Sequence, residues 1–289
     1  IVDTLLQQDL NFSGLVFTDA LNMKGVSDYY DSGSLEVSAL QAGNDVLLFP
    51  EDVPAALEAI HRAIEDGLLT QNRIKESCHK ILKAKEWLGL TSSSILDTSN
   101  VLNRAQGAKT EFLRQRLESS ALTLLKNKDA LLPIVDLKNQ KIAVLTLGEA
   151  NSEPFVRQLK RYLNIHKYEV SLDEASDFDQ LIISVHKSNT SPWKSYKISE
   201  EEKEMISLLS KETKVTLVTF ANPYSLLNAD HLENVNSIVM AYQNSVSMQS
   251  LAAQSLFGGI PITGKLPVSL TEEYKVDFGL SLNAIDRLK

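Results

Sequence analysis

Asp19 is the residue whose type and place most clearly invite chemistry. It ends the apolar run Leu15-Val16-Phe17-Thr18, and Asn22, Met23 and Gly25 follow it in a polar, small-residue stretch. Parallel α/β sheets and barrels bind their ligands at the carboxyl ends of strands, so a carboxylate delivered there is a catalytic candidate. A strand-end Asp serves equally as the N-cap of the next helix, and position alone leaves both roles open. His186 follows a second apolar run, Leu181 to Val185, and opens the segment "HKSNTSPWKSYKIS", in which Trp193 and Tyr196 offer flat apolar faces. His61 and His79 fall within helical patterns away from any strand end, which assigns them to the surface or the core. Asp45 precedes an apolar run instead of ending one, so it belongs at the amino end of its strand, where a stability role is expected. Glu200, Glu201 and Glu202 open a helix and complement its dipole.

Other chemistries find no support. No Cys and His spacing fits a metal site. Gly148, after the apolar run Ile142 to Leu147, is followed by neither a dinucleotide-binding nor a phosphate-loop pattern. Neither a metal nor a cofactor is expected. The formal charge of −8 argues against a nucleic-acid partner, which requires clustered Lys and Arg, and favours a neutral or weakly charged ligand. No run approaches the roughly 18 apolar residues of a membrane-spanning helix. The single cysteine, Cys78, cannot form an internal disulfide and leaves the compartment open.

The elements that must position these residues follow from periodicity. Val2, Leu5, Leu6 and Leu10 have helical spacing, and Gly14 leads into the strand Leu15-Val16-Phe17. Leu35 to Ala42 reads as a helix closed by Gly43, and Val46 to Phe49 as a buried strand. Asp52 caps a helix from Val53 to about Asp66, with Pro54 in its first turn, and a further helix runs from about Gln71 to Leu88. The polar stretch Thr91 to Gln106 reads as a linker. Beyond it a helix is expected from Lys109 to about Lys126. Strands are expected at Ile142 to Leu147, Leu181 to Val185, Val215 to Phe220 and Ser237 to Ala241. Ser199 with Glu202 forms a capping box for a helix reaching about Ser210, and Gln243 to Phe257 forms another, ended by Gly258-Gly259. Buried strands alternating with helices predict an α/β class.

The stretches "GLVFTDALNMKGV" (14–26) and "ALQAGNDVLLFP" (39–50) resemble the end of the catalytic barrel of glycoside hydrolase family 3. "ALTLLKNKDALLPI" (121–134) and "QSLAAQSLFGGIPITGKLPVSL" (249–270) resemble that family's C-terminal α/β sandwich. Nearly the whole chain is covered. The resemblance implies residues 1–90 as the last part of a (β/α)8 barrel, 91–107 as a linker and 108–289 as a three-layer α/β/α sandwich.

By that resemblance Asp19 is the nucleophile of a retaining β-glycosidase, Met23 contacts the sugar next to it, and carbohydrate is the partner. An ionised carboxylate suits an oxocarbenium-like transition state and the covalent intermediate that follows it. Thr18-Asp19-Ala20-Leu21 is similar to the β-N-acetylhexosaminidase branch, whose acid/base is a histidine on an earlier barrel loop. The β-glucosidase branch more often has a Trp where Ala20 stands. His186 and Trp193 join Met23 as candidate sugar contacts. A whole barrel takes about 200–250 residues, so only its seventh and eighth strands are expected here, with the acid/base before Ile1 and no activity for the chain alone. A leader before Ile1 would imply a periplasmic or secreted protein. A β-glucosidase, a non-catalytic carbohydrate-binding relative and a ligand-binding or regulatory α/β protein are the alternatives, and the oligomeric state is left open.

Overall fold

The computed structural model describes residues 1–31, 33–91, 98–191, 193–227 and 229–285. Two compact units divide the chain, Ile1–Thr98 and Ser99–Lys289. Both are α/β, and no helix among the described residues is long and apolar enough to cross a membrane.

In the first unit a π-helix spans Val2–Asp9, where α-helical spacing was expected; its bonds reach five residues on, as in Leu10 N–H to the Leu5 carbonyl at 3.0 Å. Strands β1 (Phe17–Ala20) and β2 (Val46–Leu48) pair in parallel. The expected strand Leu15-Val16-Phe17 therefore moves toward the carboxyl end, because pairing exists only where the three-residue β2 runs alongside. The Val16 carbonyl accepts from both Asp45 N–H and Val46 N–H, at 2.8 and 3.1 Å, and so marks where the pair begins. A single turn, α1 (Lys24–Ser27), and then α2 (Ser34–Gln41) connect β1 to β2. After β2 come α3 (Val53–Glu65) and α4 (Gln71–Trp87), close to their expected bounds. Asp52 caps α3 as expected, its carboxylate accepting from Ala55 N–H at 3.0 Å. Leu40, Ala63 and Leu69 form a small core among these elements.

The expected linker covers the undescribed residues 92–97 in part, and its remainder contains a short helix, α5 (Val101–Ala105). The helix expected to reach Lys126 stops early: α6 is Ala108–Ala121, and Thr123–Asn127 is strand β3. The backbone turns at Leu122 (φ −51°, ψ 124°), and β3 pairs antiparallel with the last strand of the sheet. The apolar spacing of this stretch suited a helix, but pairing with a distant strand decided otherwise.

That sheet has six strands. They are β3, β4 (Ile142–Leu147), β5 (Lys167–Tyr168), β6 (Gln180–His186), β7 (Lys214–Phe220) and β8 (Ser237–Met240), in the order β3-β8-β7-β6-β4-β5. All but β3 run parallel. Side chains alternate between two cores, as the two-residue period of a strand requires. Val144, Ile182, Val218 and Phe220 meet Phe155 and Leu159 of α7 (Glu153–Leu159) and Ala252 and Leu256 of α9 (Val246–Leu256). Leu145, Ile183, Val185 and Leu217 meet Ile206 and Leu209 of α8 (Glu200–Glu212) on the opposite face. With both faces covered, the parallel strands are apolar along nearly their whole length. The capping box holds: Ser199 N–H donates to Glu202 Oε2 at 2.7 Å, and Glu202 N–H to Ser199 Oγ at 3.2 Å.

Gly148 has a reason other than a nucleotide. Its φ is +95°, and a Cβ there would stand 2.0 Å from the His186 carbonyl oxygen. The turn after β4 passes so close to the end of β6 that only glycine fits.

Candidate functional site

In β1, Phe17 and Asp19 share one face and both are exposed, while Thr18 and Ala20 point the other way. Asp19 thus lies within the strand, one residue before its end. Its Oδ1 accepts from Ala20 N–H at 2.8 Å, and the carboxylate is open to solvent. The strand is held on its other side. Thr18 Oγ1 accepts from Leu48 N–H at 2.9 Å, and Leu21 N–H donates to the Leu48 carbonyl at 2.9 Å, so the loop that follows is tied to the end of β2. Asp19 is not the N-cap of the next helix. Met23 occupies that position, with its carbonyl accepting from Val26 and Ser27 N–H, and its side chain is half exposed.

The sequence predicts Phe49 as the end of a buried strand, but it leaves β2 with φ +47° and lies exposed. Because β1 and β2 are parallel and Ala20 is in register with Leu48, Asp19 and Phe49 stand at the same carboxyl edge. Its strained backbone at that edge makes Phe49 a candidate for contact with a ligand, and an aromatic between a strand and Pro50 is the signal available in the sequence.

At the opposite edge, Asp45 is sealed: its side chain has no exposure. It accepts from Ser77 Oγ at 2.6 Å, Lys80 Nζ at 3.0 Å, Val16 N–H at 3.1 Å and Arg73 Nη1 at 3.2 Å. Burial pushes its pKa up, but the Ser77 hydroxyl, the Lys80 ammonium and the Val16 amide together hold the carboxyl below its ordinary value. With every lone pair engaged, Asp45 fastens α4 to the amino ends of the strands.

His186 and Trp193 belong to the second unit. His186 does not open a loop; it closes β6 and is fully buried. Its ring stacks on Phe220 (centroids 4.6 Å apart), and its nitrogens lie 2.7 Å from Asn244 Oδ1 and 3.0 Å from Ser184 Oγ. Burial lowers its pKa to about 4, which the Asn244 contact only partly resists. The ring that the sequence offered to a ligand is engaged by its own domain. Trp193, by contrast, is 92% exposed, and its backbone N–H donates to Ser191 Oγ at 3.3 Å.

Tyr196 lines a cleft of about 570 Å³ at the carboxyl ends of β6 and β7, together with Lys187, Asn189, Asn222 and Tyr242. Lys187 is fixed beside Glu202 at 2.9 Å. Burial raises the Tyr242 pKa, opposed by its bond to the Thr123 hydroxyl at 2.7 Å. Tyr242 also has φ +60°, a second bulky residue strained just past a strand end.

Comparisons with known proteins bear on both units. The chain is 22% identical over 292 residues to a beta-N-acetylglucosaminidase/beta-glucosidase of Cellulomonas fimi, which covers 93% of this chain and 51% of that protein. It is 28% identical over 145 residues to beta-hexosaminidase A of Pseudoalteromonas piscicida, covering 47% of this chain and 24% of that one. The chain therefore spans about half the length of the first of these relatives and less of the second. Among solved structures, a beta-glucoside phosphorylase bound to 2FGlc superposes with a TM-score of 0.77 at 22% identity, over 93% of this chain and 51% of that one. At that identity the likeness concerns fold. The family model described as the glycosyl hydrolase family 3 N terminal domain matches residues 1–84, and the one described as the glycosyl hydrolase family 3 C-terminal domain matches residues 122–283, more than half of the sequence by itself. The chain belongs to glycosyl hydrolase family 3.

Proposed function

We propose that this chain carries the nucleophile and the C-terminal domain of a retaining β-glycosidase, with Asp19 attacking the anomeric carbon. The observation that carries the reading is the exposed Asp19 carboxylate at the carboxyl edge of a parallel strand pair, clamped through Thr18 to β2. Attack forms a bond from a carboxylate oxygen to the anomeric carbon as the leaving oxygen departs with a proton, and water then cleaves the glycosyl ester. The proton donor of the first step is not assigned to a residue of this chain. Met23 and Phe49 flank Asp19 in this reading as apolar sugar contacts, and Trp193 serves as an exposed stacking face. His186 serves the packing of the second unit, stacked on Phe220 and 2.7 Å from Asn244, and contacts no sugar in this reading.

Residues 1–90 are then the last part of a (β/α)8 barrel, 91–107 a linker and 108–289 a three-layer α/β/α sandwich. Parallel strands each followed by helices support the barrel, as do exposed Phe17 and Leu48, which a closed barrel would cover. The preferred substrate is a β-N-acetylhexosaminide. Ala20 after the nucleophile supports this, as do the names of both relatives. A β-glucoside is the second reading, favoured by the dual name of the Cellulomonas fimi relative.

The test is covalent trapping in the complete enzyme. A 5-fluoro-N-acetylglucosaminyl fluoride should leave a glycosyl adduct on the peptide containing Asp19, mapped by mass spectrometry, and an adduct elsewhere overturns the assignment. The ratio of kcat/KM for 4-nitrophenyl N-acetyl-β-glucosaminide and 4-nitrophenyl β-glucoside then separates the two substrate readings.

A further inference from the structure

We propose that a cleft of about 610 Å³ at the carboxyl end of α7 binds a sugar bearing an oxyanion, whether phosphate, sulfate or carboxylate. Lys138, Lys160 and Arg161 converge on it with Tyr162, Asn164 and Tyr168, and its lining residues include no carboxylate. In a chain with 37 acidic and 29 basic residues, three cations on one cleft give it a local positive charge against the overall sign. Elsewhere Lys80, Lys187 and Lys203 each find a carboxylate within about 3 Å. None of the three cations in the cleft has an ion-pair partner among the described residues. Arg161 reaches the neutral Gln158 side chain at 3.3 Å, and Lys160 lies over the Tyr168 ring at 5.2 Å.

Cations at a helix C-terminus complement the dipole, which accounts for Lys160 and Arg161 in part. It does not account for Lys138, which a separate segment delivers, anchored by Leu137 packing on the sheet's core. Like charges brought together repel, and a bound anion removes that cost. The pocket is also built, because Tyr162 stacks on Phe257 with centroids 4.6 Å apart and planes 12° from parallel, which fixes one wall. Its volume falls in the range of small-molecule sites, roughly 300–1,000 Å³. The oxyanion follows from this geometry, whereas the sugar rests on the glycosidase reading above.

Isothermal titration of the full chain at low, matched ionic strength tests both parts, with glucose 6-phosphate, glucuronate, inorganic phosphate and glucose as probes. Glucose 6-phosphate or glucuronate should bind saturably and more tightly than phosphate, with glucose silent. The double variant Lys138→Glu/Arg161→Glu should weaken that binding at least about tenfold while leaving the far-ultraviolet circular dichroism unchanged, since both side chains are exposed. Absence of saturable anion binding, or binding indifferent to the double variant, overturns the site. Phosphate binding as tightly as glucose 6-phosphate and glucuronate, or glucose binding as tightly as they do, overturns the oxyanion-bearing sugar. Hydrolysis of an aryl β-glycoside by the complete enzyme, with and without the same double variant, reports on the glycosidase reading separately, because this cleft and the Asp19 edge lie in different units.

Discussion

Asp19 and Asp45 stand at opposite ends of one parallel strand pair, the first open to solvent and the second sealed among Ser77, Lys80, Arg73 and the Val16 amide. Two carboxylates 26 positions apart in the chain (45 − 19) thereby take different work. A buried, fully bonded carboxylate cannot approach a substrate, and an exposed one contributes little to stability.

Replacing Asp19 by Asn or Ala in the complete enzyme should lower kcat by more than roughly 10³-fold, the scale on which losing a covalent nucleophile is felt. The melting temperature should stay within a degree or two, because the side chain is exposed and bonded only to its own neighbour's amide. Steady-state hydrolysis and a thermal melt on the same preparation check both; near-normal turnover by either variant refutes the nucleophile assignment.

Asp45→Asn should do the reverse and destabilise the first unit by about 3 kcal/mol, since it leaves Lys80 and Arg73 facing a neutral group. The cost is no higher because Arg73 and Lys80 keep 22% and 29% of their side-chain surface in water. Faster hydrogen exchange at the Val16 amide, which donates to Asp45, is the direct readout. The sign with pH follows from the lowered pKa. The carboxylate's contribution is complete above the ordinary value of 3.8 and is lost as pH falls below it toward the folded-state pKa.

For His186 the unfolded chain takes up a proton near pH 6.5, whereas the folded one resists until about pH 4. Stability of the second unit should therefore decline as pH falls from 6.5 to 4, by about 3 kcal/mol from this group, since each pKa unit corresponds to about 1.4 kcal/mol. In His186→Phe, which keeps a ring against Phe220, that part of the pH dependence should vanish while the decline from the carboxylates persists. Denaturant midpoints of wild type and variant at pH 7, 6, 5 and 4 measure the difference, and parallel curves would contradict the buried neutral imidazole.

Gly148→Ala should cost at least about 1–3 kcal/mol from its left-handed backbone alone. The His186 carbonyl in the path of the new methyl adds to that. A drop in melting temperature would bear this out, and an unchanged melt would mean that the β4 turn can move away from β6.

What the sequence determined by itself was local. The Asp52 cap, the Ser199–Glu202 capping box and the helical spans of α3 and α4 depend on residues three or four apart, and each was legible. The buried parallel strands were legible as well, since a strand covered on both faces is apolar along its length. The Thr18-Asp19 pair was visible as a strand-end carboxylate. Tertiary structure decided the rest, because the partners come from far along the chain. Thr123–Asn127 became a strand only by pairing with Ser237–Met240. Asp45 lost its solvent to residues 28 to 35 positions away. His186, placed by its sequence at the mouth of a loop, was enclosed by Phe220 and Asn244, and Phe49, placed in a core, was turned out to the edge that Asp19 occupies. Burial is a property of what packs against a residue, and for each of these side chains the neighbour that settles it lies beyond the reach of any local pattern.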